Sequence, residues 1–190
     1  MQINPEDVYK ASSAIERADL LVVQLEIPII AVQAAIEVAR AAGVKVLLNA
    51  APANLACLDW FDRLEWLVIN ESEAETLSGL PADQADSAFI AARTLRGRGA
   101  KTVVLTMGEQ GAWWVGQEEK FFPAFRIQAV DTTAAGDAFI GGLAVSLGRG
   151  DDWQSATRFA SAAGALAATR LGAQTSLPDL HELERFIAEN

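Results

Sequence analysis

Apolar segments of strand length alternate with segments of helical periodicity along most of this chain. A strand without polar alternation is buried on both faces, and such strands, when helices separate them, run parallel. The sequence therefore predicts an α/β fold of three layers, a mostly parallel sheet with flanking helices. The predicted strands are 19–25, 44–48, 66–69 and 101–106, and the predicted helices among them are 4–17, 28–42, 71–78 and 86–96.

The chain after residue 110 carries a different pattern. Two short segments, 112–115 and 119–122, predict a hairpin, and the alternation over 125–130 predicts a further strand. Three helices are predicted to follow, at 136–147, 152–170 and 180–188. We expect one domain over residues 1–190, because a chain of this length can bury one substantial core.

Composition argues against several classes of function. The formal net charge is −10, and a nucleic-acid interface would need a basic face. No apolar run approaches the roughly 20 residues that a membrane-spanning helix requires. The first residues lack the basic and apolar regions of a signal peptide, so we expect a cytoplasmic protein. The single cysteine, Cys57, is predicted to be a buried structural residue rather than a nucleophile.

Polar and glycine-rich residues stand at the predicted carboxyl ends of the strands. Ligands of parallel sheets bind at these ends. We therefore expect a ligand site among residues drawn from several strand ends. These residues are Glu26, Asn49, Asn70, Thr106 to Gly111, and Asp131 to Asp137.

The segment Asp131 to Asp137, DTTAAGD, lies where a predicted strand ends and a helix begins. Small residues let a ligand approach the backbone, and the first amides of a helix point outward. Together these features predict an anion hole. An aspartate beside a bound phosphate is suited to accept a proton, so Asp137 is the candidate general base. Simple helix capping by Asp131 and Asp137 is the alternative interpretation.

Two other strand ends also allow two interpretations. Asn70 and Glu73 fit the start of a helix, as cap and first-turn acid, but a carboxylate there can also hold a hydrated Mg²⁺. The glycines of 106–111 can serve a turn alone. Glu26 can be an ordinary loop carboxylate.

The string DTTAAGDAF, followed by Gly141-Gly142-Leu143-Ala144, closely resembles the C-terminal signature of the ribokinase-like (PfkB) family of carbohydrate kinases. Asn70 to Glu73 resembles the NxxE element of that family, and Gln24-Leu25-Glu26 resembles its QLE segment. The resemblance implies ATP-dependent phosphoryl transfer to a sugar hydroxyl. ATP and Mg²⁺ are the implied cofactors, and K⁺ is a further candidate.

The resemblance also implies a role for each matching residue. Asp137 would be the catalytic base and would contact the substrate, Glu26 would reach the sugar, and Glu73 would position Mg²⁺ through water. Nucleotide or anion contacts would come from Asn70, Thr106, Gly108, Gly111, Gly136 and Ser161. A monovalent cation would be held by Asp131, Thr133, Ala167, Arg170, Gly172 and Ser176, several of them through carbonyl oxygens. Close helix packing is the other explanation of the small residues around Ser161.

The resemblance covers the C-terminal part of the family, and no counterpart of its N-terminal sugar-binding and lid region is seen. We expect an unpaired apolar sheet edge that a homo-oligomer or a partner chain covers, or a fragment of a longer product. One hypothesis is a kinase for a ribose-like sugar that is incomplete as an isolated chain. The other is a non-catalytic ATP-binding or structural fragment that needs a partner half. Nucleoside kinases and other sugar kinases share these motifs and remain alternatives.

Overall fold

The backbone of the computed structural model, which describes residues 3–190, divides into two compact units. The first unit comprises the chain up to Met107 together with Trp113–Lys120, and the second comprises Gly108–Ala112 together with Phe121–Asn190. That the whole chain is a single domain stays a prediction. The strands are β1 (Leu20–Gln24), β2 (Lys45–Asn49), β3 (Trp66–Asn70), β4 (Thr102–Thr106), β5 (Gly111–Val115) and β6 (Glu119–Pro123). The helices are α1 (Pro5–Lys10), α2 (Ser12–Ile15), α3 (Ile29–Ala41), α4 (Glu71–Ser78), α5 (Ala85–Gly97), α6 (Ala135–Gly148), α7 (Trp153–Ala168) and α8 (Leu180–Glu189).

The six strands form one sheet in chain order, and β1 to β4 are parallel. Leu20 pairs with Lys45 at the start of β1, and Asn70 pairs with Thr106 at the end of β3. The predicted hairpin is present as β5 and β6, which are neighbours in the sheet. The α/β prediction is therefore confirmed, as a mixed sheet flanked by helices.

The apolar side chains of the central strands form the core of the first unit. Leu47, Leu67 and Leu105 are fully buried, as predicted for strands covered on both faces. Each such side chain contributes roughly 1.5–3 kcal/mol by leaving water. The chain between β2 and β3 contains a 3₁₀ helix, Leu55–Arg63, that the sequence patterns did not predict, and its Cys57 is fully buried.

The predicted strand at 125–130 is wrong, because this segment has no regular secondary structure. Strand β6 ends at Pro123, which has no N–H to donate to a neighbouring strand. The Val130 N–H instead donates to the carbonyl oxygen of Ala168 at 2.8 Å, and Phe125 packs against Phe186 of α8. The segment therefore bonds to α7 and packs on α8 through single residues, without pairing as a strand.

The predicted helix over 4–17 is interrupted. Asn4 caps α1 through a reciprocal capping box with Asp7, as its sequence position suggests. Helix α1 ends at Lys10, with Ala11 as its C-cap, and the short α2 follows. In the part of the chain that the structure describes, no helix has the length and hydropathy needed to cross a bilayer.

Helices α6 and α7 of the second unit pack closely through small residues. A Cβ atom added at Gly142 would lie 3.0 Å from the Cβ of Ala163 and 3.1 Å from the Cα of Ala160. A Cβ at Gly164 would lie 3.0 Å from the carbonyl oxygen of Ala135. Gly141, the neighbour of Gly142, would meet nothing within 4 Å. Close packing thus explains the glycine at 142 but not the one at 141.

We expect Gly142→Val to lower the free energy of unfolding by about 1–3 kcal/mol, because overpacking forces the two helices apart. The matched variant Gly141→Val should change it by less than about 0.5 kcal/mol, since its side chain enters solvent. Urea denaturation followed by circular dichroism measures both. Equal effects of the two variants would contradict the close approach of α6 and α7.

The Cys57 thiol provides a probe of the first unit. Burial raises the pKa of this thiol to about 11, and only the thiolate reacts with disulfide reagents. At pH 8 the labelling of Cys57 should therefore be slower by about two orders of magnitude or more in the folded chain than in urea. Fast labelling of the native chain, absent in Cys57→Ser, would show that the Cys57 thiol is accessible to solvent in the folded chain and would contradict its burial.

Candidate active site

The strand ends of the first unit are joined by side-chain hydrogen bonds. Gln24 Nε2 donates to Asn49 Oδ1 at 3.2 Å, and Asn49 Nδ2 donates to the carbonyl oxygen of Val68 at 3.2 Å. Asn49 is buried, so its polar groups cross-link β1, β2 and β3. Glu26 lies just after this layer and is exposed.

Asn70 and Glu73 form a reciprocal capping box at the start of α4. Asn70 Oδ1 accepts the backbone N–H of Glu73 at 2.9 Å, and Glu73 Oε2 accepts the backbone N–H of Asn70 at 2.9 Å. Asn70 Nδ2 also donates to Glu73 Oε1 at 3.1 Å. The capping interpretation is therefore confirmed, and the box holds the Glu73 carboxylate in one orientation.

Glu73 is a buried carboxylate without a cationic partner. Only 7% of the residue is exposed, and none of residues 3–190 forms an ion pair with it. Burial raises the pKa of Glu73, the Asn70 N–H opposes this in part, and the negative charge of Glu71 adds to it. A hydrated divalent cation would offset this charge and leave the box intact, so the site fits Mg²⁺ bound through water.

Thr106 completes the ligand-type groups of the first unit. Its hydroxyl donates to the carbonyl oxygen of Ile69 at 3.3 Å and ties the end of β4 to β3. Thr106 and Asn70 are register partners, so this edge of the sheet brings Asn70, Glu73 and Thr106 together. Three predicted site residues thus meet through strand pairing and one helix cap.

The glycines of the 108–111 turn have backbone reasons of their own. Gly108 and Gly111 have φ of +50° and +132°, values that side-chain-bearing residues rarely adopt. A Cβ at Gly111 would also lie 2.0 Å from the carbonyl oxygen of Phe122. Backbone conformation therefore explains both glycines, and neither is evidence for a nucleotide.

In the second unit, the Asp131 carboxylate organises the DTTAAGD segment. Its Oδ1 accepts the backbone N–H of Thr133 at 3.0 Å and the Thr133 hydroxyl, and its Oδ2 accepts the N–H of Gly172 at 3.0 Å. These bonds, from the Thr133 hydroxyl first and then the Gly172 and Thr133 amides, lower the pKa of Asp131. Asp131 is thus an ionised acceptor that shapes the turn before α6.

Helix α6 begins with an exposed turn. The N–H of Ala135 is bonded to the carbonyl oxygen of Thr132 at 3.1 Å. The N–H of Gly136 has no acceptor among residues 3–190, and a Cβ there would meet open space. Asp137 is exposed in this first turn. An exposed donor next to a carboxylate can bind an anion and take up a proton at one place.

The structure brings three of the six cation candidates into contact, namely Asp131, Thr133 and Gly172. The carbonyl oxygen of Ala167 accepts the Arg170 N–H at 3.2 Å. Ser176 is buried and donates to the carbonyl oxygen of Ala173 at 2.8 Å. Across residues 3–190, no three His, Cys, Asp or Glu side chains cluster as metal ligands.

Ser161 lies half-buried on α7, between the buried residues Ala160 and Ala162. Close packing of α6 and α7 accounts for these small neighbours. No contact of Ser161 within the second unit points to a ligand.

One ion pair near this site was missed by sequence reasoning. Arg170 Nη2 donates to Glu182 Oε1 at 2.8 Å, and Nη1 donates to Oε2 at 3.2 Å. The two residues lie twelve positions apart, on opposite sides of an irregular connection, so no helical or strand spacing links them. The side chain of Arg170 is therefore engaged, and only its carbonyl oxygen could serve a cation.

The sequence of this chain matches one family of known proteins. The profile described as pfkB family carbohydrate kinase matches residues 1–180. A deoxyribokinase of Salmonella typhi is 38% identical, over 99% of this chain and 62% of its own length. A ribokinase of Staphylococcus aureus is also 38% identical, over 97% of this chain and 62% of its own length.

Solved structures agree with the sequence matches. The crystal structure of a ribokinase from Thermotoga maritima superposes with a TM-score of 0.83 at 36% identity, over 93% of this chain and 59% of that one. An Arabidopsis thaliana ribokinase, solved with ribose and ATP, superposes with a TM-score of 0.89 at 26% identity, over 94% of this chain and 58% of that one.

The chain spans between 58% and 62% of the length of each of these four relatives. In every case the match covers at least 93% of this chain. The resemblance carried by DTTAAGDAF is thereby confirmed. A profile match over 180 of 190 residues, together with 38% identity along nearly the whole chain, shows that this protein belongs to the pfkB family of carbohydrate kinases.

Proposed function

We propose that this chain is the nucleotide-binding and catalytic part of a kinase that transfers a phosphoryl group from ATP to a hydroxyl of a ribose-like sugar. The observation that carries the proposal is the start of α6, where the N–H of Gly136 has no backbone acceptor among residues 3–190 and the following residue, Asp137, is exposed. The Arabidopsis relative, a ribokinase solved with ribose and ATP, supports both ligands.

The chemistry assigned to these residues is direct transfer. The sugar oxygen forms a bond to the γ-phosphorus, the bond from phosphorus to the ADP oxygen breaks, and the hydroxyl proton passes to Asp137. The Gly136 amide stabilises charge on the transferring group, and the other work is positioning. Glu26 is assigned to the sugar, and the nucleotide contacts to Asn70, Thr106, Gly108, Gly111 and Ser161.

Two cations belong to the proposal. When bound, Mg²⁺ neutralises charge on the phosphates, and the buried Glu73 carboxylate would hold it through water. K⁺ is assigned to the group around Asp131, whose carboxylate is ionised and lies next to Thr133 and Gly172. Ala167, Arg170 and Ser176 complete the assigned ligand set through oxygen atoms.

A further part of the proposal is that another polypeptide, a second copy or a partner chain, covers the β1 edge of the sheet. Strand β1 ends the strand order and is apolar, and its Val22 is 40% exposed. The alternative function is that of an ATP-binding fragment that needs a complementary half. It is favoured by the greater length of the relatives, of which this chain covers 62% in two cases. The cytoplasmic location expected from sequence remains part of the proposal.

Asp137→Asn should lower sugar-dependent ADP release by about 10²–10⁴-fold, because loss of a general base removes that much catalysis. The affinity for MgATP should stay the same or rise slightly, since a negative charge is removed. Calorimetric titration with MgATP and an ADP-release assay with ribose, on one sample, measure both.

Asp86→Asn is the matched control, because Asp86 is an exposed aspartate in the first turn of another helix, α5. This variant should leave both the sugar-dependent ADP release and the affinity for MgATP unchanged. MgATP binding without turnover in the unmodified chain would favour the fragment hypothesis. Full turnover in Asp137→Asn would overturn the assignment of the base.

Glu73→Gln should reveal the cost of the buried charge. Because burial raises the pKa of Glu73, its contribution to stability is greatest below the ordinary carboxyl pKa and is lost as pH rises through the raised value. Glutamine can keep the cap. The variant should therefore lose less stability than the parent between pH 4 and pH 8, as thermal unfolding without divalent cations measures.

The same variant should weaken Mg²⁺-dependent ATP binding by about 10–100-fold, the usual cost of losing such a supporting ligand. Glu71→Gln is the control, with the same charge change in the same turn but no part in the cap. An equal loss in both variants would contradict a specific role for Glu73.

A further inference from the structure

The ion pair of Arg170 and Glu182 spans the connection between α7 and α8, residues 169–179, which contains one 3₁₀ turn, Gln174–Ser176. Arg170 follows α7, and Glu182 lies in the first turn of α8. Glu182 Oε2 also accepts the N–H of Asp179 at 3.1 Å, while Asp179 Oδ1 accepts the N–H of Glu182 at 2.9 Å. The carboxylate that caps α8 is thus the one that binds Arg170. Two geometric constraints fix the same side chain, so the pair holds both ends of the connection.

Helix α8 is itself anchored. Leu183, one residue after Glu182, is buried against Ala162, Ala163 and Ala167 of α7. The carboxylate partner of Arg170 therefore stands on a packed helix. An ion pair whose partner is held in this way loses less side-chain entropy than one between two mobile surface groups.

The connection supplies one of the three hydrogen-bond donors to the Asp131 carboxylate. The Gly172 N–H, two residues after Arg170, donates to Asp131 Oδ2 at 3.0 Å. Gly172 has φ of +95°, and the Thr175 hydroxyl bonds back to the carbonyl oxygen of Leu171 at 3.1 Å. Apart from Ser176, residues 171–177 are exposed. Their placement therefore depends on hydrogen bonds and on the ion pair rather than on apolar burial.

Asp131 links the Gly172 amide to the turn that precedes α6. Its Oδ1 accepts the Thr133 N–H, and α6 starts two residues later with Gly136 and Asp137 in its first turn. We propose that Arg170 is a positioning residue for this site. Its ion pair with Glu182 holds the Gly172 amide on Asp131 and so fixes the turn that presents the Gly136 amide to a phosphoryl group. This inference rests on the proposed function only for the identity of the ligand.

Hydrogen exchange of assigned amides, followed by NMR on the full chain, tests the positioning directly. Arg170→Gln and Glu182→Gln should each raise the exchange rate of the Gly172 amide by at least about tenfold, while the Leu183 amide is unchanged. Glutamine at 182 can still cap α8, so unfolding of that helix is not the expected cause. Arg170→Lys keeps the charge and should give an intermediate rate.

Arg158→Gln is the matched control. Arg158 is also an arginine of α7 that reaches α8, through a bond of 3.4 Å to the carbonyl oxygen of Ile187, and its guanidinium lies over the ring of Phe125 rather than beside Glu182. It should leave the Gly172 amide unchanged. If Arg170→Gln also leaves this amide unchanged, or if the two variants act equally, the positioning role is wrong.

A second measurement links the pair to the ligand. Arg170→Gln should weaken MgATP binding by about 3–10-fold, and the double variant Arg170→Gln/Asp131→Asn should be no weaker than Asp131→Asn alone, because both act through one bond. Additive losses would overturn the coupling. If the unmodified chain does not bind MgATP, the proposed function fails, and the Gly172 exchange rates still decide the positioning role.

Discussion

Parallel hydrogen bonding carries β1 to β4 in one direction, so the carboxyl ends of all four strands lie along one edge of the sheet. The positions of Asn49, Asn70 and Thr106 follow from this strand pairing, and the helix cap at Asn70 then fixes the position of Glu73. Asn49 can cross-link three strands because Gln24 and Val68 are its register partners on either side. Thr106 reaches Ile69 because β4 is in register with β3. Loss of one strand pairing would separate these groups even if each residue were retained.

Residues to which the family resemblance gives a catalytic or binding role also stabilise the local structure. Glu73 completes a helix cap, Asp131 accepts two hydrogen bonds from Thr133 and one from Gly172, and Gly111 avoids a clash with a carbonyl oxygen. These structural roles fix where the groups lie before any ligand arrives. One of these groups, the Glu73 carboxylate, is buried without a cation to balance its negative charge. Preorganisation of this kind lowers the cost of binding.

Much of the fold could be predicted because strand burial and helix caps are local. The parallel strands, the cap at Asn70 and the turn before α6 all follow from short patterns of residues. The prediction for 125–130 failed because alternating apolar residues do not require the backbone to pair with a neighbouring strand. The pair of Arg170 and Glu182 was beyond local patterns, because it depends on how α7 and α8 pack. The roles in catalysis came from resemblance to a family, since each segment had a structural explanation as well.

Titration of the isotope-labelled chain with MgATP, followed through its backbone amides, tests the nucleotide assignment most directly. We predict saturable shifts of the Gly136 amide, with smaller shifts at Asn70 and Gly108, and little change at helix α1, which lies far along the chain from these motifs. Saturable binding that leaves the Gly136 amide unmoved, or no binding at millimolar MgATP, would contradict the assignment of the α6 start as the phosphate site.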